Sequence, residues 1–405
     1  MILRRKKVVI ISYILIIAVL TGCFNAKELD ELGISLAMGI DHEDGKILIT
    51  AEVVDPAFSS EASNTGEGSS VRYVQGIGNT ILEALKDITL KFDRGVYSAH
   101  NKVLIFGEEI AKQGLVSHMD ELIRDREQRE SSYMLIAKGA KAYEVMGINS
   151  GIETIPANYI LGLIKNVESN PKTVDFSIMD YLKHYYHEGH HPVAGVIEKI
   201  QKNEINETGE KSGTKGYELT VIGSALFKKD KLIGYLNGND TKALNYLLDN
   251  VKGGIITFHA TSVLEEVQSQ ESEQILNSVN VIKVKTKNDV ELEGDKVILK
   301  SKVYVRAALG ELLENTDISK EGNLKRIEDD CSKTVELNIK AAVQKVQKEF
   351  GIDIFGFGIV FHRKYPKQWK KIKDYWDEIF ADAEYQIEVN THIIRTGLIN
   401  RPLEK

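Results

Sequence analysis

One long apolar run stands in this sequence, and it is too short to cross a bilayer. Arg4, Arg5, Lys6 and Lys7 precede it, and it extends from Val8 to Leu20, interrupted only by Ser12 and Tyr13. A spanning helix needs about 20 apolar residues; this run has 13, the length of a signal-peptide core. The preceding cations hold the N-terminus on the cytoplasmic side. Leu20-Thr21-Gly22-Cys23 closes the run, in the order of a bacterial lipoprotein processing site. Thr21 and Gly22 are small, so a peptidase reaches the backbone beside Cys23. On this reading, cleavage falls between Gly22 and Cys23. The mature chain leaves the cytoplasm, and lipid on the Cys23 sulfur holds it to a membrane. An uncleaved anchor helix is the alternative, but Asn25, Lys27, Glu28, Asp30 and Glu31 stop the apolar run at once.

That reading limits what the rest of the chain can build. Removing residues 1–22 leaves 383 of 405 residues, enough for two or three domains with their own cores. Cys331 is the one other cysteine. With Cys23 lipidated, no internal disulfide forms and no cysteine-based zinc site is available. The leader carries four cations and no acid, so its loss takes the formal net charge from −7 to −11. An acidic chain does not suggest nucleic acid as a partner and grips anionic lipid poorly. Anchoring then falls to the lipid, and two acyl chains hold far better than one. No second long apolar stretch follows, so a soluble body is expected.

Strand and helix signals alternate along that body. Ile34–Ile40, a turn at 41–45 and Ile47–Val54 form a strand pair closed by Pro56. Residues 59–70 read as a loop. Ile81, Leu82, Leu85 and Ile88 have helical spacing. Val103–Phe106 and Tyr133–Ala137 are strands, Leu115–Ile123 a helix and Ala140–Met146 a short one. Residues 202–216 are polar without periodicity and read as the main linker or a long exposed connection. A hairpin follows, Tyr217–Phe227 and Leu232–Leu236 about Lys229-Asp230, then a helix over Thr241–Leu248. Strands are expected near Gly254–His259, Val279–Lys285, Asp289–Glu293 and Val297–Val305. Leu324, Ile327, Cys331, Val335, Ile339, Val343 and Val346 recur three or four residues apart, extended by Phe350, which predicts one long amphipathic helix over 324–350. Cys331 in that stripe reads as a small buried core residue. A Trp-containing helix and a strand at Tyr385–Ile394 end the chain. Hairpins among helices predict an α+β fold, a multi-subdomain body with mixed or antiparallel sheets.

Few residues suggest chemistry. His184, His187, His190 and His191 cluster with Tyr185 and Tyr186 between them. Imidazoles at that spacing could ligate zinc with Glu188 or Asp180. There is no HExxH pattern, and structural or surface histidines are the reading adopted. The run from Arg124 to Glu130 alternates in sign: Arg124, Asp125, Arg126, Glu127, Arg129, Glu130. Such runs are solvated faces with local ion pairs, or docking surfaces. Gly356-Phe357-Gly358 lacks the third glycine of a dinucleotide fingerprint, so glycine flexibility after the long helix is the better account. No phosphate-binding Gly-Lys-Ser/Thr loop, Gly-x-Ser-x-Gly elbow or SxxK motif stands out. Neither a catalytic residue nor a cofactor is expected.

The residues resemble the spore germination lipoproteins of the Ger(x)C family. The resemblance is carried first by Lys27-Glu28-Leu29-Asp30-Glu31-Leu32 after the lipid cysteine, Gly39-Ile40-Asp41, and Val53-Val54-Asp55-Pro56. The block Ala99 to Ala111 follows, running on to Gly114-Leu115 and Arg124-Asp125 with Glu127 and Arg129. Beyond the linker come Gly223–Phe227 with Leu232–Leu236, then Asp353, Gly356, Gly358, Tyr365-Pro366, Trp369, Trp376 and Phe380. Phe24 departs from the family, which often has Trp there. The resemblance implies a three-subdomain α+β body with an N-terminal germination-protein region over 23–201 and a C-terminal domain over 217–400. It implies a non-enzymatic C subunit of a nutrient germinant receptor, lipid-anchored on the outer face of the spore inner membrane. Its partners would be polytopic A- and B-type subunits. Arg124, Asp125, Arg126 and Arg129 are the candidate partner interface. A solute-binding lipoprotein serving a transporter is the alternative, disfavoured by the hairpins; a metal-dependent surface hydrolase is a third reading.

Overall fold

The structure, a computed structural model, describes residues 31–54, 70–124, 131–149, 151–202, 204–205, 211–212, 216–260, 276–294, 296–313 and 316–397. Gly22, Cys23, Asp125, Arg126 and Arg129 lie outside the described residues.

The first half opens with β1 (Leu32–Glu43), β2 (Lys46–Val54), β3 (Val71–Gly78), α1 (Ile81–Ile88), β4 (Gly95–Tyr97) and β5 (Val103–Gly107). It continues with α2 (Glu108–Gln113), α3 (Val116–Arg124), β6 (Tyr133–Ala137), α4 (Tyr143–Met146), α5 (Pro156–Lys165), α6 (Ile178–Tyr186) and β7 (Val193–Gln201). Two-residue strands β8 (Glu204–Ile205) and β9 (Lys211–Ser212) pair with each other, and β10 (Tyr217–Lys228) and β11 (Lys231–Leu236) follow. The remainder is α7 (Gly238–Leu247), β12 (Ile255–His259), β13 (Leu276–Glu293), β14 (Lys296–Glu311), α8 (Asn323–Lys345), α9 (Phe357–Lys364), α10 (Pro366–Ile372), α11 (Trp376–Asp382) and β15 (Glu384–Arg395).

The large sheet has the order β11-β10-β7-β6-β5-β1-β2-β3, with β4 beside β1. Its centre, β7-β6-β5-β1, is parallel, and antiparallel hairpins flank it on both sides. Asp44 and Gly45 both adopt positive φ (49° and 77°) at the β1–β2 turn, the geometry of a two-residue hairpin whose twist matches its strands. β1 is buried on both faces, which is why its apolar pattern alternates only loosely. On one face Phe106, Ile136 and Ala194 pack under α1, α2, α3 and α6. On the other, Ile105, Leu135 and Ile197 pack under α4 and α5.

The smaller sheet has the order β12-β13-β14-β15, antiparallel except for the parallel β14–β15 pair. The two strands expected at 279–285 and 289–293 are one continuous strand, β13. Asn288 does not break it: its side chain donates to the Leu247 carbonyl (3.0 Å) and accepts from the Ser301 hydroxyl (2.8 Å). The long helix is present as α8, and its last turn, Val346–Phe350, widens to π geometry before Gly351 at φ 59°. Cys331, Val335, Ile339 and Val343 are buried along it. The sheets are mixed and the class is α+β.

Residues 202–216 connect β7 to β10, which are antiparallel neighbours in the same sheet. Residues 217–236 therefore complete the large sheet. The third core spans the junction: Val193, Leu226 and Leu236 of the large sheet share it with α7, α8 and the smaller sheet. Among the described residues no helix is long and apolar enough to cross a membrane.

Candidate functional site

The densest polar arrangement at that junction is built around Asp353. The chain leaves α8 through Gly351 and turns back at once. Asp353 Oδ1 accepts from the backbone N–H of Phe355 (2.9 Å) and Gly356 (2.8 Å), an Asx-type turn around its own carboxylate. Its Oδ2 accepts from Gly358 N–H (2.7 Å) and from the indole of Trp376 (3.1 Å). Gly356 stands at the N-cap of α9 with φ 81°, a conformation that favours glycine. Asp353 is fully buried. Burial pushes its carboxyl up to about 6, against the four hydrogen bonds that pull it down. Phe361, Trp369 and Trp376 surround the turn with ring centroids 5.4–6.2 Å apart.

The segment after α6 docks on this turn. A capping box of Ser177 and Asp180 starts α6, and Gly189 reverses the chain after it at φ 77°. Gly189 and Gly358 meet backbone to backbone: a Cβ on Gly358 would lie 2.3 Å from the Gly189 carbonyl oxygen, and one on Gly189 2.5 Å from the Trp369 ring. Glu188 accepts from the Trp369 indole (3.1 Å) and the Lys373 ammonium (2.8 Å), which hold its carboxyl below the usual range. His191 N–H donates to the Asp353 carbonyl (2.8 Å). We refer to these contacts as the clasp.

The clasp separates the four histidines. His190 Nε2 donates to the Ile354 carbonyl (3.0 Å), and its ring lies 4.2 Å from that of His184. Both Nδ1 atoms are buried without a partner. Burial holds His190 down at about 3 and His184 at about 4, so both imidazoles are neutral at ordinary pH. His191 Nε2 instead contacts Asp377 Oδ1 (2.9 Å), while its Nδ1 accepts from Lys229 N–H (3.1 Å). His187 is the exposed C-cap of α6. The quartet therefore splits three ways, and among the described residues no group of three or more His, Cys, Asp or Glu converges as a metal site. Arg124 ends α3, exposed and paired with Asp120 (2.6 Å).

Glu188, Asp353 and Trp376 carry this arrangement, and no motif for chemistry marks them. Their available signal is local: an aspartate followed by glycines three and five positions on is an Asx turn with a close backbone contact. Two further acids are buried in the large-sheet body. Asp41 accepts from Ala142 and Tyr143 N–H (2.7 and 3.3 Å) where α4 begins, and burial pushes it up to about 6. Glu52 accepts from Ala157 N–H and the Tyr73 hydroxyl (3.0 and 2.9 Å). Each carboxylate satisfies backbone donors that would otherwise be orphaned at a helix start.

Both sides of the clasp match family models. Residues 25–199 match the spore germination protein N-terminal domain, and residues 222–397 match the "Spore germination B3/ GerAC like, C-terminal" family. The chain belongs to the Ger(x)C family of spore germination proteins. The Ger(x)C relatives include spore germination protein KC of Bacillus subtilis (strain 168), 28% identical over 99% of this chain and 98% of that protein. Spore germination protein B3 of the same organism is 26% identical over 94% and 96%. The crystal structure of the GerBC protein superposes with a TM-score of 0.55 at 22% identity, covering 92% of this chain and 100% of that one. The Ger(x)C fold is thus shared along the chain. One family match ends within β7 and the other begins within β10, so the two meet at neighbouring strands. His190 and Glu188 fall in the first match, Asp353 and Trp376 in the second.

Proposed function

We propose that this chain is the non-catalytic, lipid-anchored C subunit of a spore nutrient germinant receptor. The observation that carries the reading is the match of both halves to spore germination families, with curated relatives aligned over nearly their full lengths. Cleavage between Gly22 and Cys23 leaves lipid on Cys23 as the anchor. The acidic body, with regions 23–201 and 217–400 flanking 202–216, then lies on the outer face of the spore inner membrane. Anchoring confines it near polytopic A- and B-type subunits and raises its effective concentration for them. Its work there is assembly and signalling through interfaces, with Arg124, Asp125, Arg126 and Arg129 as the docking segment.

Spores carrying Cys23→Ala test the anchor. The protein is expected to leave the inner-membrane fraction, and the nutrient response to slow at least several-fold, while germination by a non-nutrient trigger stays normal. A variant that remains membrane-bound with a full response would overturn it. Capture of the full-length protein from detergent-solubilised spore membranes tests the partners. Two polytopic proteins are expected by mass spectrometry; their consistent absence would sink the receptor reading.

A further inference from the structure

A cleft of about 620 Å³ lies where the 169–172 loop, α7, β12 and α8 meet. It is separate from the clasp. Asn239, Lys242, Ala243 and Tyr246 line it from α7, at the i, i+3, i+4, i+7 spacing of one helix face; Val335, Asn338 and Ile339 do so from α8. The loop is fixed in place, since Asn245 on α7 donates to the Pro171 and Thr173 carbonyls (3.0 and 2.6 Å). Gly253 and Gly254 lie against the Glu168 carbonyl and the Pro171 ring with no room for a Cβ.

The charge in this cleft is one-sided. Lys242 and Lys172 are both lining residues, and among the described residues neither has a carboxylate within ion-pair distance. Asp240, the acid of the cleft, is already paired with Lys345 (2.8 Å). The Lys242 side chain is half-buried, and its ammonium donates to a single acceptor, the Ile255 carbonyl, although it carries three donors. Burial, with Lys172 beside it, pulls its pKa down to about 8. Tyr246, one turn along the same face, has a buried hydroxyl without a partner. Two neighbouring cations without a counter-charge are costly in a low-dielectric wall. An anion seated between them would relieve that cost and supply acceptors. Ile256, Val335 and Ile339 form an apolar patch on the wall, and Ser169, Asn170, Asn239, Thr257 and Asn338 make the rest of it polar.

We propose that this cleft binds a small organic acid, its carboxylate held by Lys242 and Lys172 and a short branched apolar chain packed against Ile256 and Ile339. Small-molecule sites pair apolar surface with convergent polar groups, and the patch of Ile256, Val335 and Ile339 lies beside the two lysines. This inference does not depend on the receptor reading, since it concerns binding by the chain alone.

The test is saturation-transfer NMR on the full-length protein in detergent, with isovalerate as probe and isovaleramide as its uncharged counterpart. Transfer to the isovalerate methyl groups is expected to exceed that to isovaleramide at least fivefold. Equimolar inorganic phosphate is expected to leave most of the signal in place. Lys242→Met removes the ammonium and Ile339→Trp fills the cleft. Either variant, shown to be folded by circular dichroism, is expected to cut the signal at least fivefold. Absence of transfer to isovalerate in the wild-type protein would overturn the proposal without recourse to the variants. So would equal transfer to the amide, which would mean shape recognition alone, or full displacement by phosphate, which would mean a bare anion cradle.

Discussion

Trp376 donates its indole N–H to the carboxylate of Asp353 at 3.1 Å, in a site that also receives three backbone N–H groups of the following turn. The carboxylate is the single acceptor for a turn, a helix start and an aromatic side chain. Replacing it with an amide keeps the shape but turns an NH2 toward one pair of donors. Asp353→Asn is expected to lower unfolding stability by ~2–4 kcal/mol, the scale of leaving buried polar groups unpaired. Trp376→Phe removes one donor and part of the ring, and is expected to cost ~1–3 kcal/mol. Urea unfolding followed by circular dichroism measures both. A loss below ~0.5 kcal/mol for Asp353→Asn would show that the clasp contributes little.

Two glycines give a sharper steric test. Gly358 lies inside α9, where alanine is favoured by ~1 kcal/mol on propensity alone. Yet its Cβ would lie 2.3 Å from the Gly189 carbonyl oxygen, so Gly358→Ala is expected to destabilise by ~2–4 kcal/mol. Gly147 has negative φ and nothing within 4 Å of a built Cβ. Gly147→Ala is therefore the control, expected within ~0.5 kcal/mol of wild type. Thermal unfolding of the two variants side by side decides the matter; equal melting temperatures would argue against the close backbone contact.

The buried histidines predict an acid response with a definite sign. His184 and His190 have folded values near 4 and 3, below the unfolded 6.5. The unfolded chain therefore binds more protons below pH 6.5, and stability falls as pH drops. Each contributes a loss of about 2 kcal/mol between pH 7.5 and 5. Asp41 and Asp353, raised to about 6, act oppositely and recover roughly 1 kcal/mol each over the same range. His190→Gln is expected to remove its share, so the variant loses about 2 kcal/mol less than wild type from pH 7.5 to 5. Parallel urea curves at the two pH values read this out. An unchanged pH dependence would mean that His190 takes up its proton as readily in the fold as in the unfolded chain.

Cys331 is buried in α8, and burial pushes its thiol up to about 12. The thiolate is the reactive form, so alkylation by iodoacetamide at pH 8 is expected to be at least a hundredfold slower in the folded protein than in urea. Peptide mass spectrometry distinguishes Cys331 from Cys23. Equal rates in the two conditions would place the thiol at the surface.

Reversing the sign of Arg126 and Arg129 tests the proposed docking segment. The Arg126→Glu, Arg129→Glu chain is expected to accumulate normally but to capture at least fivefold less of its polytopic partners from spore membranes. Undiminished capture would move the interface elsewhere.

Element type was readable along most of this chain because local signals and tertiary demands agree. Leu324 to Val346 announces a helix by spacing, and it is one; Lys229-Asp230 announces a hairpin turn, and Lys229 adopts φ 57° there. Sheet membership was not readable. Nothing local in Tyr217–Leu236 says that β10 pairs with β7, because a polar connection of that length suits a domain linker and an excursion between paired strands equally well. The histidines misled by density. Four imidazoles within eight residues suggest convergence, but Gly189 turns the chain between His187 and His190, and the partners that separate them, Ile354 and Asp377, are more than 160 positions away. The anchor and the charge run beyond Arg124 lie outside the described residues and rest on the sequence.

The parallel pairing of β14 with β15 has a consequence for biogenesis. A chain made N-terminus first presents β14 well before β15, with α8 through α11 between them. Until residue 395 has emerged, the smaller sheet has an open edge along β14, a template for pairing with another chain. The third core, which reaches into the large sheet through Val193 and Leu226, also lacks Tyr385, Val389 and Ile393 until then. Pairing of β15 with β14 therefore closes that edge at the end of synthesis. A prematurely ended product would carry an adhesive edge, making it a substrate for quality-control proteases rather than a partly working protein.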